Sequence, residues 1–81
     1  MEKLARKVVD KMLECEKNNF DIGETIIESC EVVKDDIDEI KKNRSEFFCS
    51  LWEQEDEMNE YELNVLAAIE ATIVMMCGGK L

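Results

Sequence analysis

Any chemistry in this chain falls to carboxylates. It holds 20 aspartates and glutamates against 10 lysines and arginines, with no histidine. Without histidine, the Ser-His and Cys-His routes to an activated nucleophile are closed. The four cysteines, Cys15, Cys30, Cys49 and Cys77, stand 15 to 28 residues apart and form no C-x-x-C unit, which is not the spacing of a zinc site. No glycine-rich phosphate loop is present. Two acidic pairs remain, Glu28-x-x-Glu31 and Glu53-x-x-Asp56. Residues three apart share one face of a helix, and two such pairs brought together supply the oxygen ligands that magnesium takes.

The two pairs resemble the E-x-x-E…E-x-x-D pattern of the all-α nucleotide pyrophosphatases. The resemblance covers these four residues only and implies, as one alternative function, magnesium-dependent hydrolysis of a nucleotide. In that family the second pair lies within an apolar helix, whereas Glu53-Gln54-Glu55-Asp56 is polar throughout. Acyl carrier proteins are also small, acidic and helical, but they need an Asp-Ser-Leu at the start of the second helix. Here Ser50-Leu51 follows Cys49 and Asp35-Asp36-Ile37 lacks the serine, so that class is set aside. The leading expectation is a protein that is not an enzyme, with no catalytic residue, no metal and no cofactor.

The stronger signal is for binding. From Ser45 to Glu62 the chain has seven carboxylates and no lysine or arginine, together with Phe47, Phe48, Leu51, Trp52 and Tyr61. Phe47 and Leu51 continue an apolar seam and read as core. Phe48 and Trp52 read as anchors for a partner's pocket, with Glu53, Glu55, Asp56, Glu57 and Glu60 steering the approach of basic residues. The formal net charge is −10, and it is uneven: residues 18–44 carry four basic and eight acidic groups, whereas residues 1–17 carry five and four. Such a chain repels nucleic acid, whose binders displace counterions with basic residues, and it repels anionic membrane surfaces. The expected partner is therefore a basic protein, including a nucleic-acid-binding complex. A carboxylate array along a helix imitates the spacing of phosphates. In this the chain resembles the small acidic proteins with which phages and other mobile elements inhibit host defence nucleases. The resemblance implies an inhibitor or modulator of a basic, nucleic-acid-handling protein.

Eighty-one residues predict one domain over 1–81. Glycine occurs only at Gly23, Gly78 and Gly79, and proline is absent, so the tight turns of a small sheet protein lack their residues. The expectation is all-α: an antiparallel bundle of three to four helices, completed by dimerisation. Leu4, Ala5, Val8, Val9, Met12 and Leu13 predict a first helix over 2–17. Asn18-Asn19-Phe20 interrupts, and Asp21 with Glu24 reads as a capping box. Ile26, Cys30, Val33, Ile37, Ile40, Arg44, Phe47 and Leu51 then alternate four- and three-residue steps as a heptad seam. That seam predicts a helix over 22–43, followed by 44–53, with a bend or break at 43–45 where Lys41, Lys42 and Arg44 cluster.

Asn59 with Glu62 predicts a second capping box and a last helix over 59–77, ended by Gly78 in a left-handed conformation. Between Val65 and Cys77 only Glu70 and Thr72 are polar. A helix apolar nearly all round is central or shared with another subunit, and this one is too short to cross a membrane. Ile26, Val33, Ile37, Ile40, Leu66, Ile69 and Ile73 are the expected oligomer interface, which makes a self-associating assembly protein the other alternative. Met75 and Met76 read as helix core. The cysteines read as reduced, buried thiols, and no apolar segment follows the N-terminus, so the expected location is cytoplasmic.

Overall fold

The computed structural model describes residues 1–79. Among them are five α-helices and no strand: α1 Glu2–Lys17, α2 Ile22–Glu31, α3 Ile37–Lys42, α4 Arg44–Leu51 and α5 Glu60–Met76. Single 3₁₀ turns at Lys34–Asp36 and Glu55–Glu57 join α2 to α3 and α4 to α5. None of the helices is long and apolar enough to cross a membrane.

The first helix follows from its apolar spacing. Ala5, Val8, Val9, Met12 and Cys15 recur every three or four residues, and all are buried where α1 packs against α2 and α4. Its end is set by asparagine. Asn19 adopts φ 61°, a left-handed conformation that asparagine tolerates better than other side chains. The N–H of Phe20 bonds to the Cys15 carbonyl at 3.0 Å and that of Asn19 to the Glu16 carbonyl at 3.1 Å. This is the Schellman closure, which satisfies two otherwise orphaned carbonyls. Two residues later Asp21 starts α2, its carboxylate accepting the Glu24 N–H at 2.8 Å.

The continuous helix expected over 22–43 does not form. A straight helix from Ile22 to Trp52 would measure about 45 Å, whereas the molecule's longest dimension is 33 Å. The chain breaks twice. The first break, after Glu31, was absent from the sequence expectation. Val32 and Val33 are adjacent β-branched residues with poor helix propensity, and Val33 leaves helical geometry at φ −121°, ψ 12°. Asp35, Asp36, Asp38 and Glu39 then crowd the start of α3, while Lys41 and Lys42 occupy its end. That polarity suits the dipole of a new short helix. The second break, at Asn43 (φ −128°, ψ 39°), falls within the expected 43–45. α4 ends at Leu51, two residues short of the expected 53. The seam survives both breaks: Cys30, Val33, Ile40, Phe47 and Leu51 are buried, with Ile26, Ile37 and Arg44 half-buried.

The last helix is specified at both ends. Asn59 accepts the Glu62 N–H at 2.8 Å and Glu62 accepts the Asn59 N–H at 2.9 Å, completing the capping box. At the other end Gly78 adopts φ +107°, and the N–H groups of Gly78 and Gly79 close on the carbonyls of Met75 and Val74. Glycine is needed there for its conformation rather than for space, since a Cβ on Gly78 would meet nothing within 4 Å. Between these ends Val65, Leu66, Ile69 and Ile73 pack into the core.

That packing corrects the expected oligomer interface. Val33, Ile40, Leu66, Ile69 and Ile73 are each 0% exposed within one chain. They are the interior of the monomer and offer no surface to a second copy. Ile26 and Ile37 are half-buried against the same core. The exposed apolar side chains are others, including Ile22, Ile27, Met75 and Met76. The two methionines thus lie on the surface and not in the core. Met75 sits on the side of α5 that turns away from Ile69 and Ile73, and Met76 is the last residue of the helix.

Candidate functional site

The short helix α4 divides its residues by depth. Phe47 and Leu51 point into the core, as the seam requires, while Phe48 is half-buried with its ring set edge-on to Phe47 at 5.2 Å and 78°. Such edge-to-face contact holds the Phe48 ring in place. Trp52 is the C-cap of α4. Its indole N–H donates to Glu70 Oε2 on α5 at 2.9 Å, and one part of the ring packs against the core. The anchor residue is therefore fixed from two directions. Between Phe48 and Trp52 opens a groove of about 570 Å³, lined also by Arg44, Ser45 and Cys49.

Immediately after Trp52 the backbone tightens. The N–H groups of Glu53, Glu55, Glu57 and Met58 bond to carbonyls three residues back, at 3.0–3.2 Å. Met58 is half-buried against the core and ties down the far side of the loop. A backbone wound this tightly, with a polar sequence, turns its side chains to water. Glu53, Glu55, Asp56 and Glu57 are all exposed, as is Glu60 at the first position of α5. Among the described residues no lysine or arginine forms an ion pair with any of these five. Cations elsewhere do find partners, Lys11 with Glu14 at 2.9 Å and Lys34 with Glu31 at 3.2 Å.

The remaining two carboxylates of the acidic segment have local work. Glu46 pairs with the N-terminal ammonium at 3.3 Å. Glu62 caps α5 and also hydrogen-bonds Glu16 at the end of α1, which pushes the Glu16 carboxyl above its ordinary range because the bond favours the protonated form. The structure therefore brings Phe48 and Trp52 together in one groove and sets Glu53, Glu55, Asp56, Glu57 and Glu60 directly beyond it, within eight residues of chain.

Arg44, Ser45 and Cys49 complete the groove and were not singled out as partner-binding from sequence. Glu70 was also missed. Its signal is legible in retrospect: it is the only charge between Val65 and Cys77, and a buried indole N–H needs an acceptor. Cys49 departs from the expectation of four buried thiols. Cys15, Cys30 and Cys77 are buried, whereas Cys49 is exposed. Burial pushes the three interior thiols up, Cys30 to about 11, which keeps them protonated and unreactive.

The magnesium pattern does not assemble. Among the described residues no three aspartate, glutamate or cysteine side chains lie close enough to share a metal ion. Glu31 is paired with Lys34 on the surface of α2, and Glu53 and Asp56 belong to the loop after α4. Comparison of the chain with protein-family models, with curated proteins and with solved structures finds no match, so the site stands on its geometry alone.

Proposed function

We propose that this chain is a small protein-binding factor that grips a basic partner through the Phe48–Trp52 groove and the carboxylates beyond it. The observation that carries the reading is the set of five exposed carboxylates, Glu53, Glu55, Asp56, Glu57 and Glu60, within eight residues of chain and with no ion pair to a lysine or arginine among the described residues. Like charges crowded in one loop oppose folding, and among the described residues no lysine or arginine pairs with them. Their field is useful to a positively charged surface arriving from outside, speeding encounter and selecting its sign. The groove supplies what charge alone does not, a desolvated apolar contact near the centre of the interface. Large basic surfaces are characteristic of proteins that handle nucleic acids. The chain acts as an inhibitor or modulator of such a protein by covering the surface that would otherwise meet phosphates.

The test is affinity capture with the wild type and with a variant carrying Glu53, Glu55, Asp56 and Glu57 all changed to Lys. A basic protein retained by the wild type, released by high salt and not retained by the variant supports the reading. Equal retention by both chains defeats it.

Self-association is a second reading, in which the helices complete an antiparallel bundle with another copy. Its support is apolar surface that one chain leaves uncovered: Ile27 is 63% exposed and Met75 74%. The two readings are compatible, since a dimer presents the acidic loop twice. Light scattering separates this reading from a monomer.

A further inference from the structure

On α5 the residues that do not face the core have an unusual composition for this chain. Tyr61, Asn64, Ala67, Ala71 and Met75 are all exposed and all uncharged. At 3.6 residues per turn they fall within an arc of about 120°, with half-buried Ala68 inside the same arc and Thr72 at its edge. Glu60, also exposed, falls inside the arc at its N-terminal end, so the uncharged stretch of the face runs from Tyr61 to Met75. The arc is also symmetrical along its length. Bulky Tyr61 and Met75 stand seven residues to either side of Ala68, and polar Asn64 and Thr72 stand four to either side.

We infer that this face pairs with the same face of a second copy, the two α5 helices running antiparallel about a two-fold axis at Ala68. The inference rests on the self-association reading and specifies its surface. Three observations choose a second copy as the occupant. First, a two-fold contact must be self-complementary, and the sequence about Ala68 is: an antiparallel partner sets Tyr61 against Met75, an aromatic–thioether contact, and Asn64 against Thr72. The alanines at the centre let the axes approach at the short end of the 8–10 Å range.

Second, a chain of net charge −10 repels its own copies. Contact between copies is therefore favoured on a surface poor in carboxylates, and from Tyr61 to Met75 this arc offers a basic partner none. Third, the acidic loop fixes the orientation. Parallel helices would bring two sets of five unpaired carboxylates side by side. Antiparallel helices put them at opposite ends of a 17-residue helix, about 25 Å apart at 1.5 Å per residue, beyond the Debye length of about 8 Å at physiological salt. A groove of about 250 Å³ between α2 and α5, lined by Ile27, Cys30, Thr72 and Met76 and by the paired Glu31 and Lys34, adjoins the arc and would receive Tyr61 of the second copy.

The experiment combines mass and cross-linking on the full chain. Light scattering of the wild type at micromolar concentration is expected to give twice the 9.4 kDa chain mass. Ala71→Glu places a charge at an exposed helical position where it does not disturb the fold. It is expected to halve the measured mass with an unchanged circular dichroism spectrum. Ala68→Cys in a Cys49→Ser background is expected to form a covalent dimer on mild oxidation, with Cys49→Ser alone forming none. A dimer that survives Ala71→Glu and does not cross-link through position 68 overturns this face while leaving self-association standing. A monomeric wild type overturns both and leaves the face to a different protein.

Discussion

Two exposed regions meet at Asn59. Before it, Glu53, Glu55, Asp56 and Glu57 crowd a loop wound by hydrogen bonds three residues long. After it, and beyond Glu60, Asn64, Ala67, Ala71 and Met75 line a helix face with no charge. The loop projects a field that reaches beyond contact and, in the proposed function, selects a partner by sign. The helix face has no reach; it rewards only a surface of matching shape laid directly on it. On the proposed reading one short chain separates two tasks, with charge attracting something unlike itself and neutrality permitting its own copy. The capping box of Asn59 and Glu62 is the joint between them, and it fixes where the field stops and the helix begins.

The sharpest way to break the comparison is to attack the side of α5 that faces inward. Ile69→Ala opens a cavity in a fully buried site and is expected to lower stability by about 2–5 kcal/mol. Chemical denaturation measures it; a loss below 0.5 kcal/mol would mean that the inner face is not core. The joint itself comes next. Asn59→Ala removes the acceptor for the Glu62 N–H and is expected to reduce stability by about 1 kcal/mol, read from the thermal midpoint. A smaller effect is expected from neutralising the loop. Changing Glu53, Glu55, Asp56 and Glu57 to glutamine relieves repulsion, so stability is expected to stay level or rise by up to about 0.5 kcal/mol, more at low salt. A clear loss of stability would show that these carboxylates hold the fold together.

The smallest effect lies at Glu16 and Glu62, where pH dependence follows from the raised Glu16 carboxyl. A group whose pKa is higher folded than unfolded stabilises fully below its unfolded value. That contribution disappears as pH rises through the folded value. At neutral pH the Glu16 contribution is therefore lost. Glu16→Gln retains a donor to Glu62 at every pH, and is expected to stabilise the neutral-pH protein by about 0.2–0.5 kcal/mol, with the advantage shrinking in acid. An advantage that grows in acid would reverse the sign of the coupling.

Much of this was legible in the sequence, and the exceptions share a cause. Local rules read well where one residue decides: Asn59 and Glu62 gave the cap, Gly78 the helix end, Phe47 and Leu51 the buried face of α4. The seam through Ile26, Val33 and Ile40 marks the inward-facing residues correctly but reads as one helix. Heptad spacing reports which side chains go inward, and two short helices folded over one core keep that spacing as well as one long helix does. The competing signal, adjacent valines followed by Asp35 and Asp36, was present and was outweighed. The same oversight placed the oligomer interface on Val33, Ile40, Leu66, Ile69 and Ile73. Sequence alone separates apolar from polar, whereas deciding which apolar side of α5 is covered requires knowing that α2 packs against it. The groove was half legible for the same reason: the spacing of Arg44, Phe48, Cys49 and Trp52 puts them on one helix face, but that this face stays open beside the core depends on the tertiary packing.

The most direct test of the central claim uses Trp52, the only tryptophan in the chain, as the reporter. Its emission is followed while a lysine-rich peptide bearing a single aromatic anchor is titrated in. The account predicts a saturable spectral shift that weakens at least tenfold as salt is raised. The shift should vanish when Glu53, Glu55, Asp56 and Glu57 are changed to Lys. A shift of equal affinity in that variant, or none in the wild type, would contradict it.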